Sequence, residues 1–159
     1  MDFECHRDDF LVSADRHKLD IDAIHYSLSR SYWAQDRPRK ILEQTIQNSL
    51  CFGLYERVSE EKENQSSLKQ IGFSRVITDY STYAYLCDVY VLEQYRGQGL
   101  GKWLMSSVMR HPELQNLRRF QLITRDAHEF YRSFGFTDVS EPEHHMEISN
   151  DEIYQKVNS

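Results

Sequence analysis

The stretch that most restricts what this chain can become runs from Asp88 to Lys102. An apolar, β-branched run, Val89-Tyr90-Val91-Leu92, leads to glycines at alternate positions, Gly97, Gly99 and Gly101. An amphipathic segment then follows from Leu100 to Met109. A strand must therefore pass through a tight turn straight into a helix. Alternate glycines let the backbone take positive φ and let a ligand approach without meeting a Cβ; inside regular structure each would cost roughly 1 kcal/mol. The first turn of a helix leaves N–H groups unpaired and carries partial positive charge. Strand, turn and helix N-terminus together make an anion site suited to a phosphate or pyrophosphate. Arg96 at the mouth and Lys102 just inside add charge.

The familiar phosphate templates do not fit this turn. A dinucleotide fingerprint, G-x-G-x-x-G, would need glycine at Lys102 or Leu104, and a P-loop would need it at Arg96 and a hydroxyl at Trp103. A nucleotide-binding protein using the same turn in another way stays open. With 159 residues, 40% of them hydrophobic, the chain suits one compact domain spanning 1–159. A net charge of −6 argues against nucleic acid as partner, and no apolar run is long enough for a bilayer. The N-terminus, Met1-Asp2-Phe3-Glu4-Cys5, lacks a signal peptide's apolar core. Cys5, Cys51 and Cys87 read as free thiols of a reducing, cytoplasmic compartment. No histidine pairs with a cysteine at zinc spacing, so no metal is expected.

Taken in order, the pattern predicts a strand at 10–13, then a helix carrying Ile21, Ile24, Leu28 and Tyr32 behind an Asp20 cap and ending by Gln35. Pro38 restarts a second helix that ends near Asn48. Strands follow at 50–56, 70–77 and 83–92, the first two joined by a charged loop from Ser59 to Lys69. Alternation puts Tyr83, Tyr85, Cys87, Val89 and Val91 on one face of the third, and Leu86, Asp88, Tyr90 and Leu92 on the other. A helix from about 99 to 110, a strand at 120–124, a short helix at 127–134 capped by Asp126 and stopped by Gly135, and a strand at 146–148 complete the core of about 10–148. Residues 149–159 read as a polar tail. The order is that of an α+β domain with a mixed sheet.

On two sets of residues the chain resembles the GCN5-related N-acetyltransferase (GNAT) superfamily. The first is R-x-x-G-x-G, here Arg96-Gly97-Gln98-Gly99-Leu100-Gly101, directly after a strand. The second is A-x-x-x-Y-x-x-x-G-F, here Ala127, Tyr131, Gly135 and Phe136, with Ala127 standing 30 residues after Gly97. The resemblance spans about 10–148 and implies a three-layer α/β/α domain around a central mixed, mostly antiparallel sheet. It implies an acetyl-CoA-dependent enzyme acting on a primary amine, with no metal. Arg96, Gly97, Gln98, Gly99, Leu100, Gly101 and Lys102 would grip the coenzyme's pyrophosphate. Main-chain groups of Val89, Tyr90 and Val91 would bind the pantetheine arm and polarise the thioester, and Ala127, Phe130 and Tyr131 would line the coenzyme. Homodimers are common in similar proteins.

For catalysis, the resemblance makes the Tyr131 hydroxyl the acid that returns a proton to the departing thiolate. Asp88, flanked by Leu86 and Tyr90 on a covered strand, reads equally as a base raised by desolvation or as a structural carboxylate held by arginine or tyrosine side chains. Tyr85 is its rival, acting through an ordered water. Tyr32, Trp33 and Tyr83 are candidates for the acceptor pocket. Beside the enzyme stands the alternative of a GNAT-fold module that holds acyl-CoA in a regulatory role without turnover.

Overall fold

The computed structural model describes residues 2–60 and 65–158, with the side chains of 60, 65, 66 and 156–158 left out. Two short strands, β1 (Glu4–Arg7) and β2 (Phe10–Ser13), open the chain as a hairpin. The sequence pattern shows only the second, because β1, at the sheet edge, buries no residue: Glu4 and Cys5 are half-buried and His6 and Arg7 exposed. Helices α1 (Ile21–Leu28) and α2 (Arg39–Gln47) follow. Asp20 caps α1 as expected, accepting from the Ala23 N–H at 3.0 Å.

Helix α1 stops at Leu28 rather than running on through Tyr32 to Gln35. Ser29 Oγ donates to the Tyr26 carbonyl at 2.9 Å and Ser31 Oγ to that of Leu28 at 2.6 Å. Such side-chain bonds compete with the helical ladder, and residues 29–37 become a turn-rich connector closed by Asp36 at φ 66°. Pro38 then stands as the N-cap of α2 and Asn48 as its C-cap.

Strands β3 (Leu50–Glu60), β4 (Gln65–Thr78) and β5 (Tyr83–Val91) form an antiparallel meander, and β6 (Arg119–Leu122) joins β5 in parallel. The sheet order is β1-β2-β3-β4-β5-β6. Both β3 and β4 run further than their apolar cores suggest, into the expected charged loop, whose residues 61–64 lie outside the described residues. Helix α3 (Leu100–Met109) lies between β5 and β6 in sequence, and the short α4 (His128–Arg132) follows β6.

The helices sort onto opposite faces. Leu100, Leu104, Met105 and Val108 of α3 pack on Phe52, Leu54, Ile71 and Leu86, with Phe130 and Phe134 from the α4 region against the same cluster. Ile24, Leu28, Leu42 and Ile46 cover Cys51 and Phe73 on the other face. This is the mixed, mostly antiparallel three-layer α+β arrangement expected.

After α4 the chain departs from expectation. Residues 146–148 form no strand: Met146 and Ile148 stand 97% and 104% exposed. An alternating segment this short holds as sheet only when paired, and it pairs with no strand among the described residues. The supposed polar tail instead carries a helix, α5 (Ile153–Asn158). Among the described residues no helix is long and apolar enough to cross a membrane.

Candidate active site

The glycine turn is built as its sequence demands. Gly97 takes φ 84° and Gly99 φ 78°, both left-handed. Gly99 is the N-cap of α3 and makes no side-chain capping bond, so the first amides of the helix keep their partial positive charge. Gly101 differs. It lies inside the helix, and a Cβ there would meet only Val91 Cγ2 at 3.8 Å, an ordinary contact. Nothing within the protein requires glycine at 101, which fits a ligand passing close to that backbone. Arg96 is exposed, its Nε donating to the Val91 carbonyl at 3.1 Å.

Strand β5 carries the next feature. Arg75 pairs with Cys87 and Phe73 with Tyr90, so one residue of β4, Ser74, faces two of β5, Asp88 and Val89. Asp88 sits at φ 53° in this bulge. The bulge overturns the expected facing. Leu86, Val89 and Val91 all join the α3 cluster, whereas Tyr90 packs with the α1–α2 cluster. Pairing with β6 covers only Tyr83–Leu86, so β5 and β6 part just before the bulge. Val89 and Val91 thus place main-chain groups along an open seam that ends at the glycine turn. Burial pushes the Tyr90 phenol up to about 12, and its side chain serves packing.

Tyr131 on α4 packs against the α3 cluster, its ring 5.0 Å from that of Phe130. Burial pushes its phenol up to about 12, so it stays protonated through the neutral range. Asp126 does not cap α4: Ala127 holds the N-cap position without a side-chain bond, and the Ala127 N–H donates to Thr124 Oγ1 at 3.0 Å. Gly135 at φ 97° ends the turn after α4.

Tyr131, Tyr85 and Tyr83 line one cavity of about 1050 Å³ with Gln121, Thr124 and Met146. Tyr83 donates to Gln121 Oε1 at 2.8 Å. Burial also raises the Tyr85 phenol. Asp88, Tyr32 and Trp33 lie outside that lining and form a connected group of their own. Trp33 Nε1 donates to Asp88 Oδ1 at 3.1 Å, and the Tyr32 and Trp33 rings meet edge-on at 5.1 Å. Arg125 stacks on Tyr32, its guanidinium carbon 3.8 Å from the ring centre. Tyr32 in turn is close enough to Tyr131 to raise its phenol.

Asp88 is 3% exposed. Burial pushes its carboxyl up, but the guanidiniums of Arg37 and Arg75 outweigh that and hold it below the ordinary carboxylate value. A carboxylate held this way is a weaker base than a free one. Arg37 and Arg75 escaped the sequence reading: the buried acid signalled that partners were needed, but Arg37 lies 51 residues away along the chain. The Cys87 thiol, pushed by burial up to about 11, stays un-ionised at neutral pH, as does Cys51 at about 12. All three cysteines are free. Among the described residues no group of three or more His, Cys, Asp or Glu could hold a metal ion.

A glycine-cradled helix N-terminus, a strand β5 that leaves its β6 partner after Leu86, and a phenol kept protonated by burial are the features of this candidate site. Residues 52–138 match the Acetyltransferase (GNAT) domain family. A Gibberella zeae protein named as an acetyltransferase is 37% identical over 149 residues, covering 85% of this chain and 83% of its own length. The crystal structure of a Xanthomonas campestris protein assigned to the GNAT family superposes with TM-score 0.81 at 44% identity, over 91% of this chain and 96% of that one. N-acetylglutamate synthase of Neisseria gonorrhoeae, solved with coenzyme A and N-acetyl-glutamate, shares the fold at TM-score 0.54 and 20% identity, over 77% of this chain and 26% of that one. This chain belongs to the GNAT superfamily, whose acyl donor is acetyl-CoA, and it is an N-acetyltransferase.

Proposed function

We propose that the chain moves the acetyl group of acetyl-CoA directly to a primary amine of a small molecule or peptide, in the cytoplasm. The observation that carries this reading is the convergence of Tyr131, Tyr85 and Tyr83 on one cavity beside the seam where β5 leaves β6. Acetyl-CoA supplies an activated thioester. The amides at the start of α3, with Arg96 and Lys102, bind the pyrophosphate, and Gly101 lets it approach the backbone. Main-chain N–H groups at Val89 and Val91 orient the pantetheine arm and polarise the thioester carbonyl. Ala127 and Phe130 wall the coenzyme on the α4 side.

The amine gives up its proton, its nitrogen forms the new C–N bond, and the C–S bond breaks. Tyr131, protonated to about pH 12, hands its proton to the leaving thiolate. Tyr85 orders the water that accepts the amine's proton, in keeping with a phenol raised by burial. To Asp88 we assign a structural part: it ties the bulge to Arg37, Arg75 and Trp33. Tyr32, Trp33 and Tyr83 border the acceptor. A homodimer belongs to the same reading, since the outer edge of β6 has no partner strand among the described residues; light scattering reads it directly.

Thermal unfolding with acetyl-CoA, coenzyme A, NAD and ATP in parallel tests the reading. Stabilisation by the CoA species, followed by thiol release with an amine panel, supports it. A response to NAD or ATP alone refutes it. Saturable CoA binding without turnover on any amine favours the regulatory module.

A further inference from the structure

Asp88 gathers more positive charge than it can neutralise. Arg37 brings Nη1 to 2.7 Å of Oδ2 and Nη2 to 3.2 Å of Oδ1, and Arg75 brings Nε to 2.8 Å of the same Oδ2. The side chains of Arg37, Arg75 and Asp88 are 10%, 9% and 1% exposed. Two guanidiniums thus share one carboxylate, and a net positive charge stands in a nearly dry place. Burying such charge without a counter-ion is unfavourable.

The cluster also has a donor to spare. Trp33 takes Asp88 Oδ1 as well, and Arg75 Nη1 goes on to Ser49 Oγ at 3.0 Å. Arg37 Nε is buried and has no hydrogen-bond partner. The Tyr154 phenol of α5 lies near this guanidinium, and Arg37 Nε is left without a partner all the same. Further out, Arg125 lies on Tyr32 with no ion-pair partner among the described residues. A guanidinium stacked by its face keeps its edge donors for a carboxylate or phosphate. The local sign is opposite to the chain's net charge of −6.

We infer that the acceptor amine carries an anionic group, a carboxylate or a phosphate, which Arg37 binds at the outer side of the Asp88 cluster while Arg125 closes over it. This rests on the acetyltransferase reading and names its acceptor class. The anionic group supplies the counter-ion and the acceptor for Arg37 Nε. It displaces the Tyr154 phenol, so the C-terminal helix competes with acceptor for one guanidinium. The excess positive charge also favours the neutral form of a bound amine, which is the nucleophile. Polyamines, by contrast, would add charge where it is already uncompensated.

The test uses the full chain saturated with acetyl-CoA and four acceptors of similar length: 4-aminobutyrate, 3-aminopropyl phosphate, butylamine and 1,4-diaminobutane. The expected result is a kcat/KM at least about tenfold higher for one of the anionic amines than for butylamine, as a charge-assisted hydrogen bond provides. Which anionic amine is preferred separates carboxylate from phosphate. Arg37→Gln leaves Arg75 and Asp88 as a one-to-one pair, so it is expected to fold, and it should bring the anionic-to-neutral ratio towards one through KM. Arg125→Gln, at the surface, should lower the same ratio. Tyr154→Ala should lower KM for the anionic amine. A preference for butylamine or 1,4-diaminobutane, or a ratio unmoved in both arginine variants, overturns the inference while thiol release leaves the acetyltransferase reading standing. Loss of acetyl-CoA stabilisation in the unmodified chain would remove both.

Discussion

Gly101→Ala separates two effects that usually move together. The residue lies in the first turn of α3 with nothing closer to its would-be Cβ than Val91 Cγ2 at 3.8 Å. Alanine in a helix gains up to about 1 kcal/mol over glycine, and near a helix end about 0.5 kcal/mol is a fair share. For a chain of 159 residues that raises Tm by about 1–2 °C. The same methyl intrudes where a phosphate oxygen would rest against backbone amides. Losing one such charge-assisted bond, about 1.5–3 kcal/mol, weakens acetyl-CoA about 10- to 150-fold. Gly99→Ala, at φ 78°, should weaken binding too but cost about 1–2 kcal/mol of stability. The two variants therefore move Tm in opposite directions and affinity in the same one. Melting curves give the first quantity and calorimetric titration with acetyl-CoA the second. A Gly101→Ala protein that binds acetyl-CoA within twofold of the parent refutes the backbone approach at 101; one that melts lower refutes the packing argument.

Tyr131→Phe removes the thiolate's proton source and should lower kcat by about 10²- to 10⁴-fold while leaving acetyl-CoA affinity close to the parent's; stopped thiol-release assays at saturating donor read it. Asp88→Asn leaves Arg37 and Arg75 without their counter-charge and should cost about 3–5 kcal/mol in urea unfolding, whereas a base role alone would spare stability. Burial raises Tyr131 and Tyr90 in the folded protein to about 12, against an unfolded value near 10. The unfolded chain then loses its protons first, and the raised thiols of Cys87 and Cys51, ordinarily near 9, add to the same trend, so stability should start to fall near pH 9 and keep falling to pH 12; Tm measured across that range checks the sign.

Residue type and spacing alone settle the turn and what brackets it. Positive φ at Gly97 and Gly99, the start of α3 and the end of the α4 turn at Gly135 are local steric requirements, readable from residue type and spacing. Asp20 as a cap and Pro38 before α2 are of the same kind. The rest depends on residues far apart in the chain that folding brings together. The bulge at Asp88 shifts the phase of β5, because β4 offers one residue against two, and alternation along β5 alone cannot register that. Asp88 became a caged carboxylate because Arg37, Arg75 and Trp33 arrive from three other segments. The stretch after α4 failed as a strand for a related reason: Met146 and Ile148 alternate as a strand would, but pairing is decided by where the chain carries them, and among the described residues they join no strand while β6 keeps a free edge.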